Sequence, residues 1–296
     1  MDIDLNMLSE MGAWEWPEGS GEAIKKVLRD EGAAAEDRAL AAQLGGDIVV
    51  MDDEMAGLLL TLAESAEAPV EVRERAAISL GPVLELCDVD GFDDPYAEPS
   101  ISEPVFAHIK DRLRAVYEER SAPKVVRRRA LEAAVRAEGD WHRKAIAEAY
   151  ASDDPEWKLT AVFCMQHLDG FEKQILESLE SENPEMRFEA VRAAGGRGVE
   201  AAWPHVLAIL ASEGDGDKDL LLAAIDAAGS ICREEETDVL LELLDSEDEE
   251  IADAARDALD SIDMNRDDED AEEDDLEEDE EEEEEEPTNG DGKKHG

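Results

Sequence analysis

The chain has 296 residues, 43% of them hydrophobic but only 4% aromatic, so a sizeable core must be built from aliphatic and alanine side chains, which suits close-packed helices better than sheets. Its 81 acidic and 28 basic residues leave a net charge of −53. A nucleic-acid partner is therefore not expected, because phosphates would meet repulsion over most of the surface.

Residues 1–19, opening MDIDLNMLSEMGAWEW, lack a basic segment followed by an apolar run. No stretch of the chain reaches the eighteen or so apolar residues needed to cross a bilayer. The expectation is an N-terminal extension on a cytoplasmic chain with no membrane partner. From residue 20 to 262 the pattern is helical and repetitive. A degraded first unit is expected from helices near 21–30 and 35–44. A better-defined helix then recurs. Counting from Val72 as position 0, Ala76, Ser79 and Leu80 fall at +4, +7 and +8. The same offsets are filled by Ala130, Ala133 and Ala134 after Val126, and by Ala161, Cys164 and Met165 after Trp157. They are filled again by Ala190, Ala193 and Ala194 after Met186, by Ala224, Ala227 and Ala228 after Leu220, and by Ala255, Ala258 and Leu259 after Ile251. These offsets lie on one face of a helix, and small residues there let a neighbouring helix come close.

From Val126 onward the anchors recur at a nearly even interval, Val126, Trp157, Met186, Leu220 and Ile251, which leaves room for one more helix between each pair. Apolar pairs supply it: Ile146 with Tyr150, Ile175 with Leu179, Leu240 with Leu244. Each repeat is thus a helical hairpin, and the fold class is all-α: an α-solenoid of six to seven hairpins. Between Val72 and Val126 the interval is almost twice as long. The surplus, 87–104, is rich in Pro, Gly, Asp and Ser and reads as an inserted loop whose Phe92 and Tyr96 fold back on the groove.

The motif of Asp or Asn, Pro, Glu, an apolar residue and a base, as in DPEWK (154–158) and NPEMR (183–187), resembles HEAT repeats of the type found in phycobilisome lyases. The resemblance covers residues 20–262 and implies a bacterial HEAT-repeat protein. It further implies first helices on the convex side, second helices on the concave side, and binding on the concave side. The bases at +1, Arg73, Arg127, Lys158 and Arg187, are similar to that family's structural arginine, and Leu221 and Ala252 depart from it.

No Walker loop, GxGxxG, HExxH or GxSxG occurs, so a non-catalytic role is expected, with no cofactor and no metal. Cys87, Cys164 and Cys232 have no CxxC spacing and read as plain thiols. Cys164 with Met165 and His167 fills core slots of its repeat rather than a metal site. The pairs Trp141–His142 and Trp203–His205 start first helices and read as seals between repeats. The +2 position, about 200° from the anchor, reads Glu74, Arg128, Leu159, Phe188, Leu222 and Asp253. Leu159, Phe163, Phe188 and Leu222, with Arg128 at one edge, are the candidate partner-binding stripe; the alternative is that neighbouring helices cover them. Residues 110–144 hold eleven bases against six acids, and Arg127, Arg128 and Arg129 are the candidate anion site within this island, unless it merely balances nearby carboxylates.

Residues 267–286 carry 18 carboxylates, which leaves a charge of −35 on the rest of the chain. Like-charge repulsion keeps 263–296 a disordered acidic tail. An acidic body also suits a salty cytoplasm. The leading expectation is a monomeric scaffold that binds a partner protein in the concave groove, basic proteins among the candidates, with the tail tuning access. The alternatives are a bilin-chromophore lyase or lyase-like chaperone, implied by the resemblance, and a polyanionic chaperone for basic proteins working through the tail.

Overall fold

The structure is a computed structural model describing residues 3–92, 99–232 and 237–264. The described residues form helices and short 3-10 turns. In chain order the helices are α1 (Leu5–Ser9), α2 (Ser20–Arg29), α3 (Ala35–Leu44), α4 (Asp53–Glu64), α5 (Val70–Ile78), α6 (Gly81–Asp90), α7 (Glu103–Glu118) and α8 (Lys124–Ala134). They continue with α9 (His142–Tyr150), α10 (Pro155–Met165), α11 (Glu172–Leu179), α12 (Pro184–Gly196), α13 (Trp203–Ala211), α14 (Lys218–Ile231) and α15 (Asp238–Leu243). A last helix, α16, spans 249–264. All six sequence anchors fall on the second helix of a hairpin: α5, α8, α10, α12, α14 and α16. The degraded first unit is the hairpin α2/α3. The fold class is therefore as the repeat implies, an all-α solenoid of helical hairpins.

The chain divides into two compact units, Met1–Ala193 and Ala194–Gly296. In the first, second helices pack on second helices in series, α3 on α5, α5 on α8 and α8 on α10, while α2 packs on α4 and α4 on α7. The Ala stripe is what allows it: Ala76, Ala130, Ala161 and Ala190 at +4 have no solvent exposure. The closest approach uses one further position. At +9 stands Gly46, counting from Asp37 in the first unit's hairpin, and Gly81 after Val72. A Cβ on Gly46 would lie 2.6 Å from the Cβ of Ser79, and one on Gly81 3.4 Å from the Cα of Ala133. Ser79 and Ala133 are the small side chains that occupy offset +7 in the repeats that follow. The second unit shows the same contact. A Cβ on Gly195 would lie 2.7 Å from the Cα of Ala227, and one on Gly229 3.2 Å from the Cα of Ala258.

Within a hairpin, the +1 arginine holds the first helix. Arg38 Nη2 donates to the carbonyl of Leu28 (3.3 Å), Arg73 Nε to that of Ala63 (3.2 Å) and Arg127 Nε to that of Tyr117 (2.8 Å). Each acceptor is the penultimate residue of α2, α4 or α7, one of the carbonyls a helix C-terminus leaves without an intrahelical partner. Lys158, at +1 of its repeat, instead sets its ammonium 4.9 Å from the Tyr150 ring centroid. The Asp or Asn of the D/N-P-E motif is the N-cap of the second helix: Asp154 accepts from the Glu156 amide at 3.0 Å and Asn183 from the Glu185 amide at 3.0 Å. Asp154 and Glu156 also pair with Lys124 of the preceding second helix. In the second unit Lys218 pairs likewise with Asp248 (2.6 Å) and Glu250 (2.7 Å).

Three boundaries differ from the sequence reading. Residues 1–19 are more than an extension: Leu5 and Leu8 of α1 are buried, α1 packs on α3, and the Trp16 indole donates to the Leu8 carbonyl at 3.0 Å. Residues 87–104 are not all loop. Val83, Leu84 and Cys87 form a buried stripe at helical spacing that carries α6 to Asp90, Pro82 suits the helix start, and Glu103 and Pro104 already belong to α7. Phe92 packs on Phe106 of α7, with ring centroids 5.3 Å apart, while Tyr96 lies outside the described residues. Finally, α16 runs through Asp263 and Met264; the rest of the expected tail, 265–296, lies outside the described residues.

His142 is buried at the first turn of α9, where Nδ1 accepts from the Gly139 amide at 3.0 Å and the Trp141 ring lies tilted against it, with centroids 4.1 Å apart. Burial, with the positive charge of Lys110 and Arg114 nearby, pushes its pKa down to about 4. The unfolded chain therefore takes up this proton first, near pH 6.5, and stability falls from there toward pH 4 by about 3 kcal/mol. Urea unfolding of wild type and His142→Asn at pH 7, 5.5 and 4.5 checks this: the difference between the two should shift in favour of the variant as pH falls. Gly195→Ala should cost about 1–3 kcal/mol, since it overpacks backbone against backbone. Gly57→Ala, in the middle of α4 with open space around it, should add roughly 0.5–1 kcal/mol. Urea midpoints of the two variants measure both.

Candidate functional site

The face of the second helices that turns away from the Ala stripe is formed by the side chains at offsets +2, +3, +6 and +10. In the first unit these are Arg128, Arg129, Glu132 and Arg136 from α8 and the turn after it, Leu159, Thr160, Phe163 and His167 from α10 and its turn, and Phe188, Glu189 and Arg192 from α12. The side chains expected to form an apolar stripe, Leu159, Phe163 and Phe188, are half-buried. Two of their rings carry guanidinium groups, Arg136 at 5.8 Å from the Phe163 centroid and Arg192 at 5.9 Å from that of Phe188. Arg136 is itself held by Glu85 at 2.5 Å, and the second carboxylate oxygen of Glu85 lies 3.8 Å from His167 Nδ1, whose ring is 6.0 Å from Phe163. Leu222 is half-buried at the same repeat position on α14, in the second unit.

Arg128, expected at the groove edge, is only 9% exposed. Its Nε donates to Thr160 Oγ1 at 2.8 Å, Thr160 donates to Glu132 Oε1 at 2.5 Å, and Arg129 Nη1 donates to Glu132 Oε2 at 2.5 Å. Arg128 Nη1 also reaches Glu156 at 3.3 Å. This network joins α8 to α10 beneath the groove. Glu189 sits beside it; burial raises its pKa, which Arg192 counteracts and the nearby charge of Glu132 reinforces. Beneath both, burial pushes the Cys164 thiol well above its usual range, and the two glutamates add to the effect. Cys164 therefore stays protonated, as a packing group in its +7 slot.

Arg127 lies elsewhere, at the start of α8, its guanidinium 5.7 Å from the Tyr117 ring and 5.2 Å from the Trp157 ring. These side chains line a cleft of about 150 Å³ with Arg120 and Glu148. Burial and the like charge of Arg120 hold the Arg127 pKa below its ordinary value. The three consecutive arginines thus point to different neighbours, and each already has an internal acceptor. Much of the basic island is paired in the same way: Lys110 with Asp88, Arg112 with Glu64, Arg114 with Glu118, Lys144 with Glu148.

Among the described residues no three His, Cys, Asp or Glu side chains gather as metal ligands, and no helix is long and apolar enough to cross a membrane. The sequence reading missed Arg136, Arg192 and Glu189. The +6 and +10 offsets would have placed Arg136 and Arg192 beside the +2 row, but their pairing with the two rings depends on side-chain directions that spacing does not encode.

Residues 172–260 match the family model of HEAT repeats, which takes in the last described hairpins and supports the repeat assignment there. No curated protein matches the chain. Among solved structures the chain is similar to human deoxyhypusine hydroxylase in complex with glycerol, at 17% identity over 88% of each chain, with a TM-score of 0.40.

Glu132 is the acceptor on which the buried network turns. Glu132→Leu should cost about 1–3 kcal/mol, because it leaves the buried Thr160 hydroxyl without its acceptor and the part-exposed Arg129 without its carboxylate, while Arg128 keeps Glu156. In a double-mutant cycle with Thr160→Val the coupling should reach about 0.5–3 kcal/mol, read from chemical unfolding.

Proposed function

We propose that this protein is a non-catalytic interaction scaffold that holds a segment of a partner protein along the second-helix face. The observation that carries this reading is the row of half-buried apolar side chains, Leu159, Phe163 and Phe188, on the face opposite the Ala stripe. HEAT repeats, which the family model matches over 172–260, generally serve as protein-interaction scaffolds. Arg136 and Arg192 lie over the Phe163 and Phe188 rings while paired with Glu85 and Glu189, so a partner's apolar groups pack beside the guanidinium planes or displace these long flexible side chains toward solvent. Arg128 and Glu132 keep the floor of the groove rigid. Leu222 offers the same residue type at the corresponding position of the second unit.

A second reading rests on the 18 carboxylates of residues 267–286: a polyanion that captures basic proteins, with the helical body as its carrier. Such binding weakens sharply above about 0.15 M salt, because exposed charges are screened over about 8 Å there.

Affinity capture from native lysate with three baits separates the two: the full chain, a chain ending at Asp263, and Phe188→Glu. Phe188→Glu should abolish capture while helix content by circular dichroism stays unchanged. Partners that survive Phe188→Glu and vanish with the tail would assign function to the polyanion instead.

A further inference from the structure

A second recess lies on the same face toward the N-terminus. It has a volume of about 700 Å³ and is walled by Trp14, Trp16, Val49, Ile78 and Pro82, with Arg136 at one end. Its position follows from the repeat. Ile78 and Pro82 stand at +6 and +10 from Val72, and Arg136 at +10 from Val126, so the recess continues the row that carries Phe163, at +6 from Trp157, in the repeat after Arg136. The outer wall comes from the segment before α2. Trp14 sits in a 3-10 turn (Ala13–Glu15), its ring so close over Gly12 that a Cβ there would lie 2.5 Å from it. Trp16 anchors that turn through its indole bond to the Leu8 carbonyl. Trp14 is 84% exposed and Val49 62% exposed, although both line an apolar recess of a size that accepts one or two large side chains.

The charge of the segment that walls the recess selects what enters it, since Arg136, the one cation among its described lining residues, is already paired with Glu85 at 2.5 Å. Residues 3–92 hold 20 acids and 6 bases. Of those bases, Lys25 is enclosed by Asp52, Glu54 and Glu22, Arg29 pairs with Glu54, and Arg38 and Arg73 are buried against carbonyls. Asp47 lines the recess, and Glu15 stands exposed beside Trp14. An apolar recess in so negative a field attracts a positively charged segment and repels an acidic one.

We infer that the Trp14–Val49–Ile78 recess is a docking site for a basic amphipathic segment of a partner protein, whose large apolar side chains fill the recess while its lysines or arginines meet the surrounding carboxylates. The segment enters as a helix presenting apolar residues at i, i+3 or i+4. This site adjoins the groove of Leu159, Phe163 and Phe188 through Arg136, but its test varies Trp14 and Val49, which lie outside that groove, so it does not depend on that reading.

The test selects a displayed library of random peptides, each long enough for four helical turns, against the full chain. The enriched peptides are then measured by fluorescence polarisation on wild type, Val49→Asp, Trp14→Ala and Phe188→Glu. Both recess variants change exposed side chains, so the fold stays intact. The expected result is enriched peptides of net positive charge with apolar residues at helical spacing, bound at least tenfold more weakly by Val49→Asp and Trp14→Ala and unchanged by Phe188→Glu. Binding should also weaken in about 1 M salt, where charges are screened over about 3 Å. Peptides that are neutral or acidic, or that bind Val49→Asp as well as wild type, overturn the inference, as does a library from which nothing is enriched. A concentration-dependent dimer abolished by Val49→Asp would also overturn it, by assigning the recess to a second copy of this chain.

Discussion

The structure depends on how closely one second helix can lie against the next. Where Gly46 meets Ser79 or Gly195 meets Ala227, an added methyl group would fall within 2.7 Å of the neighbouring helix, so backbone packs on backbone with no side chain between. That contact, a small side chain at +7 against glycine at +9, sets the spacing of the series. Alanine at +4 then closes the rest of the seam, and the interior is filled by aliphatic side chains to the density that protein cores require.

Close stacking strands polar groups, and the +1 arginine pairs them. Hairpins put the C-terminus of a first helix beside the start of a second, where carbonyls lose both helical partners and water. Arg38, Arg73 and Arg127 donate to those carbonyls from the same position in three repeats. The D/N-P-E motif does the complementary work at the second helix's N-terminus; in DPE its carboxylates also receive Lys124 from the previous repeat, as Asp248 and Glu250 of the later DEE stretch receive Lys218. A chain at −53 thus places many of its few cations inside its own joints, and the surface left over is strongly acidic.

Stacking by one face leaves the opposite face of the second helices outside that seam. There the repeat pattern stops dictating chemistry. On α8 the row carries Arg128, Arg129 and Glu132, tied into a buried network; on α10 and α12 it carries Leu159, Phe163 and Phe188; around α5 it opens into the recess beside Trp14. The proposed groove and the proposed basic-segment site are two stretches of one surface, distinguished by what fills each position.

Much of the fold was legible from residue spacing alone. Six anchors, the small residues at +4 and +7, and the regular interval between anchors identified every second helix of the repeats, because a buried helical seam must recur at helical offsets. Spacing also placed Leu159, Phe163 and Phe188 on a common face. It failed where the answer depends on what a side chain meets across a joint. Arg128 occupied the right position but turned inward to Thr160 and Glu132, α6 continued through a segment rich in turn residues because Val83, Leu84 and Cys87 found a core, and residues 1–19 supplied Trp14 and Trp16 as a wall. Those outcomes were decided by tertiary contacts, since burial and pairing belong to two elements at once and a periodic pattern describes only one.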